Sequence, residues 1–389
     1  MYSVYLKKGE EKRILQGHSW VYANEVAKIE GKDKNGSLAS VFTHDGRFIG
    51  KGYINHLSKI LVRIFIRDEN QVDDKAFYLE RLKNADDFRK NLGYDNCYRM
   101  VFAEADDIPA LIVDKYDEYL SVQFLSLGID KMKKLIVECL VDLFAPKGIY
   151  ERSDVAVRVK EGLIETKGVI YGEDVTCTQI IENGLTLNVD LLNGQKTGYF
   201  LDQKLNRLSI RPYCKDKTVL DCFCNAGGFA LNASKAGAKK VYALDISKQA
   251  LEQVNLNASL NGLTNIETVE CDIFEKLREY KKEGKTFDLI VLDPPAFCKS
   301  ANEIKSAYKG YKDINIIAMK LINKGGILVS SSCTHFMSQQ LFKKMLSESA
   351  AEAGKRVKLL EERIQCLDHP ALLSAEETSY LKFCIMQVD

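Results

Sequence analysis

The sequence predicts an α/β protein in several parts: a C-terminal domain on a mostly parallel sheet, an N-terminal small β-barrel and a central α+β domain. Three observations carry this reading. From Val219 onward, strand-like and helix-like stretches alternate, the pattern of a parallel sheet with helices on both faces. Residues 1 to 69 are short apolar runs broken by Gly and Asn, as strands of a small barrel are. At 389 residues the chain exceeds one ordinary domain of about 150 residues. The expected domains are residues 1–70, 71–175 and 176–389.

The barrel strands are read in VYL, GHSWVYANEVAKI, SLASVF, DGRFIGKGYI and ILVRIFIR. Lys7, Lys8, Lys12, Arg13, Lys51 and Lys59 decorate them, interleaved with Trp20, Tyr22, Phe48 and Tyr53. Bases beside aromatics suit single-stranded or looped RNA; the same residues also suit a barrel core with a solvated basic face. A helical period starts near Val72, followed by strands in YRMVFAE, PALIVDKY and YLSVQFLS, a helix over about Ile129 to Phe144, and a strand in GIYERS. That part carries no His, Ser or Cys cluster and reads as a spacer or a cleft wall. TCTQIIENG and LTLNVDLL form a hairpin turning at Asn183-Gly184. The C-terminal strands are TVLDCF, KVYALDIS, IETVECD, FDLIVLD and GILVSSSC, with SYLKFCIMQV as an antiparallel closing edge. Helices are expected near 228–237, 248–260, 303–322 and 338–353.

Composition narrows the function. A net charge of +1 excludes a protein that coats nucleic acid by bulk charge, but the average hides a gradient. Residues 1–70 hold 12 Lys/Arg against 8 Asp/Glu, whereas residues 71–175 hold 15 against 21, and local patches govern phosphate contact. With no apolar run of about 20 residues and no signal-peptide pattern, the expected location is the cytoplasm, with no membrane partner. Eleven cysteines in irregular spacing, without CxxC, read as small buried hydrophobes and not as a disulfide framework or a metal site. The exposed edge of the closing strand and the N-terminal barrel are where a homodimer would form.

The chemistry is expected beyond the carboxyl ends of the parallel strands. The stretch TVLDCFCNAGGFA runs strand, acid, small-residue turn, helix, a junction that brings backbone close to a ligand. It lacks the G-x-G-x-x-G of dinucleotide enzymes. Four acids recur at strand ends: Asp221, Asp245, Asp272 and Asp293. A carboxylate after the second strand suits the two hydroxyls of a ribose. DPPAF follows the fourth strand; Pro294 and Pro295 stiffen the loop, Asp293 faces the cleft and Phe297 can stack on a flat base. SSSC ends the fifth strand and sets Cys333 on the same rim as a candidate nucleophile, although the sequence names no cause for a reactive thiol. His335, two residues on, ranks below it.

VLDCFCNAGGFA, the acid of ALDIS, DPPAF, GYKDIN and SSSC, in this order, resemble class I S-adenosylmethionine-dependent methyltransferases, with their Rossmann-like seven-stranded sheet. More closely, the chain resembles the RlmI type of ribosomal RNA large-subunit methyltransferase, which makes 5-methylcytosine in 23S rRNA. GHSWVYANEV is similar to that family's PUA RNA-binding domain, DDIPALIVDKY to its central domain, and KTGYFLDQKLNR, DHP and YLK to its remaining motifs. The resemblance implies that Asp221, Asn225, Gly227 and Gly228 line the methionine and sugar side of S-adenosylmethionine. It further implies Asp245 at the ribose, Asp272 at the adenine amine, and Gln203 and Lys204 approaching the cofactor. Asp293 would touch the cytosine edge, Cys333 would be the nucleophile, and no metal is implied. Some RNA cytosine-C5 enzymes carry a second cysteine after the proline of the fourth-strand motif; Ala296 stands there, and Cys298 follows two residues on.

Competing readings stay open at this point. DPP followed by an aromatic also fits methylation of an exocyclic base amine, which needs no cysteine. A nucleotide-dependent oxidoreductase and a non-catalytic RNA-binding factor are the remaining alternatives.

Overall fold

Alternating apolar residues build the first sheet. Its strands are β1 (Tyr2–Leu6), β2 (Trp20–Tyr22), β3 (Val26–Glu30), β4 (Leu38–Phe42), β5 (Phe48–Ile54) and β6 (Ile60–Ile66), in the order β2-β6-β5-β4-β1-β3. Val4, Leu6, Val21, Val41, Ile54 and Val62 point into one core with Ile14 of the short helix α1 (Glu11–Leu15). A Cβ on Gly52 would stand 2.0 Å from the Arg63 carbonyl oxygen, so β5 crosses β6 where only glycine fits. This computed structural model describes residues 1–298 and 300–389. The chain divides into two compact units: Met1–Ile180, Val189–Asp202 and Leu367–Thr378 make the first, and Ile181–Asn188, Gln203–Cys366 and Ser379–Asp389 the second.

The first unit continues with helix α2 (Lys75–Asn91), whose first turn is capped by the Asp74 side chain accepting from the Phe77 amide. Strands β7 (Cys97–Phe102), β8 (Leu111–Tyr116), β9 (Tyr119–Phe124), β10 (Gly148–Ser153) and β11 (Thr166–Gly172) form a second sheet in the order β11-β10-β9-β8-β7. The single helix expected over 129–144 is two, α3 (Leu127–Lys131) and α4 (Lys133–Phe144), broken at Met132. Phe65 and Ile66 of β6 share a core with Phe77 and Tyr78 of α2 and with Val113 and Val122. The DHP stretch anchors this unit: the Asp368 carboxylate accepts from the Arg99 amide at 3.0 Å, and its carbonyl accepts from buried Arg89 at 2.8 Å.

Several of the barrel's bases and aromatics serve the fold itself. Trp20 donates its indole N–H to Glu104 at 2.7 Å, and the Tyr53 hydroxyl bonds Asp73 and Tyr78. Arg13 pairs with Glu25 at 2.9 Å, and Lys51 donates to the carbonyls of Glu69 and Gln71. Lys8, Lys12 and Lys59 remain exposed.

The hairpin β12 (Cys177–Glu182) and β13 (Leu185–Asp190) turns through Asn183 and Gly184, both at positive φ (55° and 72°), the geometry an Asn-Gly pair adopts most readily. The second unit then runs α5 (Lys204–Ser209), β14 (Thr218–Cys222), α6 (Gly228–Lys235), β15 (Lys240–Asp245), α7 (Lys248–Leu260), β16 (Ile266–Glu270), α8 (Ile273–Glu283), β17 (Phe287–Leu292), α9 (Ile304–Leu321), β18 (Ile322–Ser332), α10 (Gln339–Ala353), β19 (Val357–Arg363) and β20 (Lys382–Val388). Seven strands make one sheet, ordered β16-β15-β14-β17-β18-β20-β19. The first five are parallel and β20 runs antiparallel to both its neighbours. Alternate residues face opposite layers. Leu220, Leu244, Ile290 and Leu328 pack with Leu277, Ile314 and Phe342 of α8, α9 and α10, while Val219, Val241, Leu289 and Val329 pack with Phe229 and Val254 of α6 and α7.

Two further features depart from the sequence reading. The closing strand β20 is not an edge; β19, which carries Lys358, Glu361, Glu362 and Arg363, lies outside it. Charges along an exposed edge strand block further pairing and also hide the strand's alternation. Helix α8 was not expected: its apolar stripe is only Ile273, Leu277 and Tyr280 within a charged run. Among the described residues no helix is long and apolar enough to cross a membrane.

Candidate active site

The strand order of the second unit reverses direction at the boundary between β14 and β17, and a ligand crevice opens at such a switch point beyond the carboxyl ends. Across that rim the sequence places, in spatial order, Asp272 after β16, Asp245 at the end of β15, Asp221 in β14, Asp293 after β17 and Cys333 after β18.

The turn from β14 to α6 is held in an unusual backbone. Phe223 and Asn225 adopt positive φ (62° and 47°), as does Gly227 (83°). Positive φ costs a bulky residue energy and is retained where the surroundings enforce it. The Cys224 amide bonds the Leu244 carbonyl at 3.0 Å, and Asn257 of α7 donates to the Ala226 carbonyl at 3.2 Å. Gly227 is closely packed as well, since a Cβ there would lie 3.0 Å from Val254. Gly228 then opens α6.

Asp221 is fully buried, and its Oδ2 accepts from the Ala230 amide at 2.9 Å. Its Oδ1 has no hydrogen-bond partner among the described residues. Burial, with Asp293 and Asp245 adding like charge, holds this carboxyl well above the usual carboxylate range. An unpaired buried oxygen is a vacancy for a cationic or hydrogen-bonding ligand. Asp245 is half-buried and accepts from the amides of Asn225 and Ser247, each at 2.9 Å, which leaves outward lone pairs on both oxygens. Asp272 is exposed and caps α8 through the Glu275 amide at 3.0 Å.

Asp293 is oriented from two sides. Gln203 donates to its Oδ1 at 3.0 Å, and the Ser331 hydroxyl donates to the same oxygen. Gln203 is itself held by Asn206 at 2.7 Å, and Asn206 by Arg363 at 3.0 Å. Gln203 thus reaches the acid of DPPAF, while the Lys204 carbonyl receives Asn183 of the hairpin tip at 2.9 Å. That tip is fixed by a buried bidentate pair, Arg207 to Glu182 at 2.6 and 2.7 Å.

In the DPPAF loop Pro294 is buried and Pro295 exposed. Phe297 packs on Tyr311 of α9, ring centroids 4.6 Å apart, and on Phe274 at 6.0 Å. Cys298 is buried in the core with its thiol on the Ser300 carbonyl at 3.0 Å. Cys333 is half-buried, between the buried residues Ser332 and Thr334; His335 is exposed beside Tyr380. Burial pushes other thiols up, Cys214 and Cys384 to about 12 and Cys271 to about 11. Ser331, Asn206, Tyr311 and Lys382 are neighbours to which sequence reasoning gave no role: they lie within SSSC, KTGYFLDQKLNR, GYKDIN and YLK, but nothing in those stretches shows what each side chain meets. Among the described residues no group of three or more His, Cys, Asp or Glu is placed to hold a metal.

Comparison with known proteins agrees with this architecture. Residues 4–67 match the model of a PUA-like domain, and residues 165–376 that of an S-adenosylmethionine-dependent methyltransferase. The chain is 41% identical over 393 residues to ribosomal RNA large subunit methyltransferase I of Aeromonas hydrophila subsp. hydrophila, covering 99% of each protein. It is 40% identical to the protein of that name from Vibrio campbellii, covering 98% of each. In fold it is similar to a Streptococcus mutans protein described as a SAM-dependent methyltransferase, with TM-score 0.86, 20% identity and all of both chains covered. A methyltransferase crystallised as a complex with SAH is similar over all of both chains too, with TM-score 0.87 and 20% identity.

Proposed function

The chain belongs to the ribosomal RNA large subunit methyltransferase I family of S-adenosylmethionine-dependent methyltransferases, and from that premise we propose that it forms 5-methylcytosine in 23S rRNA through a covalent Cys333 adduct. The observation that carries the proposal is the single rim on which Asp221, Asp245, Asp293 and Cys333 follow one another. The substrate places the enzyme in the cytoplasm.

The residues present fit the cofactor. The vacant Oδ1 of Asp221 suits its cationic amino acid end, and the outward oxygens of Asp245 suit the ribose hydroxyls. Asn225, Gly227 and Gly228 supply a close backbone approach, with Asp272 and Lys204 at the periphery. Bound there, S-adenosylmethionine supplies an electrophilic methyl group. Cytosine C5 is too weak a nucleophile to take it unaided. Cys333 Sγ adds to C6, the C5–C6 π pair shifts to C4–C5 and the C4–N3 pair collects on N3, so that C5 becomes enamine-like. Asp293, held at Oδ1 by Gln203 and Ser331, acts in its protonated form and gives the proton to N3, where the negative charge of the adduct collects. C5 then takes the methyl, the broken S–CH3 pair staying on sulfur as S-adenosylhomocysteine leaves, and loss of the C5 proton with departure of the thiolate from C6 gives 5-methylcytosine. Pro294 and Pro295 fix the loop that presents Asp293. Phe297, already packed on two rings, supports that loop more than it stacks on a base. Because Cys298 is turned into the core, this mechanism uses one thiol.

Mass-spectrometric mapping of 23S rRNA from cells with and without the protein tests the substrate: one methylcytosine is expected to disappear. Cys333→Ala is expected to abolish transfer and to form no adduct with 5-fluorocytidine RNA. Undiminished transfer by that variant would sink the C5 mechanism in favour of an exocyclic amine.

A further inference from the structure

Lys382 opens β20 and pairs in register with Ser332, the residue immediately before Cys333. It is 4% exposed. Its ammonium donates to the carbonyls of Thr334, the residue after the cysteine, and Tyr380, at 2.7 Å for the latter. Lysine is rarely buried to this degree unless paired. Two carbonyls satisfy hydrogen bonds but do not neutralise a cation, so the site calls for an anion close by.

The titratable groups gathered around this corner decide which anion it is. From α9, the Tyr311 hydroxyl accepts from Ser332 at 3.1 Å and is pushed up to about 12 by burial, with Cys333 and Asp293 adding negative charge. From the loop after β17 comes Asp293 itself. His335 stands exposed, its ring 5.7 Å from Tyr380. Burial pulls the Lys382 ammonium down to about 8, while negative charge on Cys333 acts in the opposite direction. That attraction is mutual: a thiolate that favours the ammonium is favoured by it equally. Tyr311, pushed up to about 12, stays neutral, whereas Asp293, when ionised, works against a thiolate, and a cation on the β20 side offsets it.

We infer that Lys382 is the positioning residue that keeps Cys333 available as a thiolate, by setting a buried cation on the carbonyl of Thr334, the residue after the thiol, and so tying the loop after β18 to β20. The cysteine proton leaves to solvent and the lysine keeps its own. The inference rests on the reading of Cys333 as nucleophile and supplies the cause of reactivity that the sequence alone did not name.

The test uses the full chain and no RNA. Iodoacetamide labelling of Cys333 is followed by peptide mass spectrometry between pH 6 and 9.5 in the wild type, Lys382→Met, Lys382→Gln and Lys382→Arg. Lys382→Met and Lys382→Gln are expected to slow labelling at pH 7 about tenfold or more and to move its midpoint up by about one pH unit. Lys382→Arg, which keeps the charge, is expected to stay within a few-fold of wild type. Exposed Cys177 is expected to show the same pH–rate profile in all four proteins, and a melting shift with S-adenosylmethionine reports an intact second unit. If Lys382→Met does not fold, the Gln and Arg pair still separates charge from hydrogen bonding. An unshifted midpoint in folded Lys382→Gln, or an Arg variant as slow as Gln, overturns the inference. Transfer surviving in Cys333→Ala would instead overturn the nucleophile reading, which the labelling experiment does not touch.

Discussion

Gln203 holds Asp293: the amide nitrogen donates to Oδ1 at 3.0 Å, linking the segment before α5 to the loop after β17. The acid proposed to face the substrate is therefore aimed by a residue 90 positions earlier in the chain. A hydrogen bond to a charged group contributes about 1.5–3 kcal/mol. Gln203→Leu is expected to lower kcat about 10- to 100-fold while KM for S-adenosylmethionine moves little, as steady-state transfer of a labelled methyl group to RNA will show.

Asp221 is where stability and binding oppose each other. Its folded carboxyl titrates well above the unfolded one, so the ionised form costs stability. That cost is absent below the unfolded value, grows as pH rises toward the folded one, and is complete above it. Asp221→Asn keeps an acceptor for the Ala230 amide. The ligand-free variant is expected to melt about 2–4 °C higher at pH 8, with a smaller gain at pH 5. The same variant is expected to bind S-adenosylmethionine at least about tenfold more weakly by calorimetry, because the vacant oxygen can no longer carry charge.

The pair between Glu182 and Arg207 is buried on both sides. Removing one partner strands the other, at about 3–5 kcal/mol. Glu182→Ala is thus expected to lower the melting temperature of the second unit by several degrees, whereas replacing both residues with leucine recovers most of it. Differential scanning calorimetry on the three proteins separates the outcomes.

Lys8, Lys12 and Lys59 stay exposed on the PUA-like domain. If they meet phosphates, each contributes about 0.7–0.9 to the slope of log affinity against log salt. The triple alanine variant is expected to bind rRNA fragments more weakly at 50 mM salt and to flatten that slope by about 2 to 3. An unchanged slope would turn attention to another face.

How much of this was legible beforehand differs by element. The parallel strands and their terminal acids could be read because buried strands are continuous apolar runs, and Val219, Val241, Leu289 and Val329 supply them. The hairpin was legible because Asn183-Gly184 admits few other conformations. By contrast β19 and α8 were hidden by charge: each is partly solvated and shows too few apolar residues to set a period. The partners of the site were hidden for a different reason. Gln203 lies 90 residues from Asp293, and Lys382 lies 48 from Thr334; only pairing of strands and docking of loops brings them together. The barrel aromatics admitted two readings, and Trp20 and Tyr53 proved to be bound to acids of the first unit.

The insertion of β20 between β18 and β19 bears on how the enzyme comes to life on the ribosome. Every strand from β14 to β19 is synthesised before it, yet the slot it fills lies inside the sheet, next to the strand that ends at Cys333. Until those seven residues emerge, β18 presents an open ladder and the thiol lacks its lysine. A nascent chain can hold most of its proposed cofactor-binding turn before β20 docks, so if Cys333 is the nucleophile, it is armed by the final act of folding.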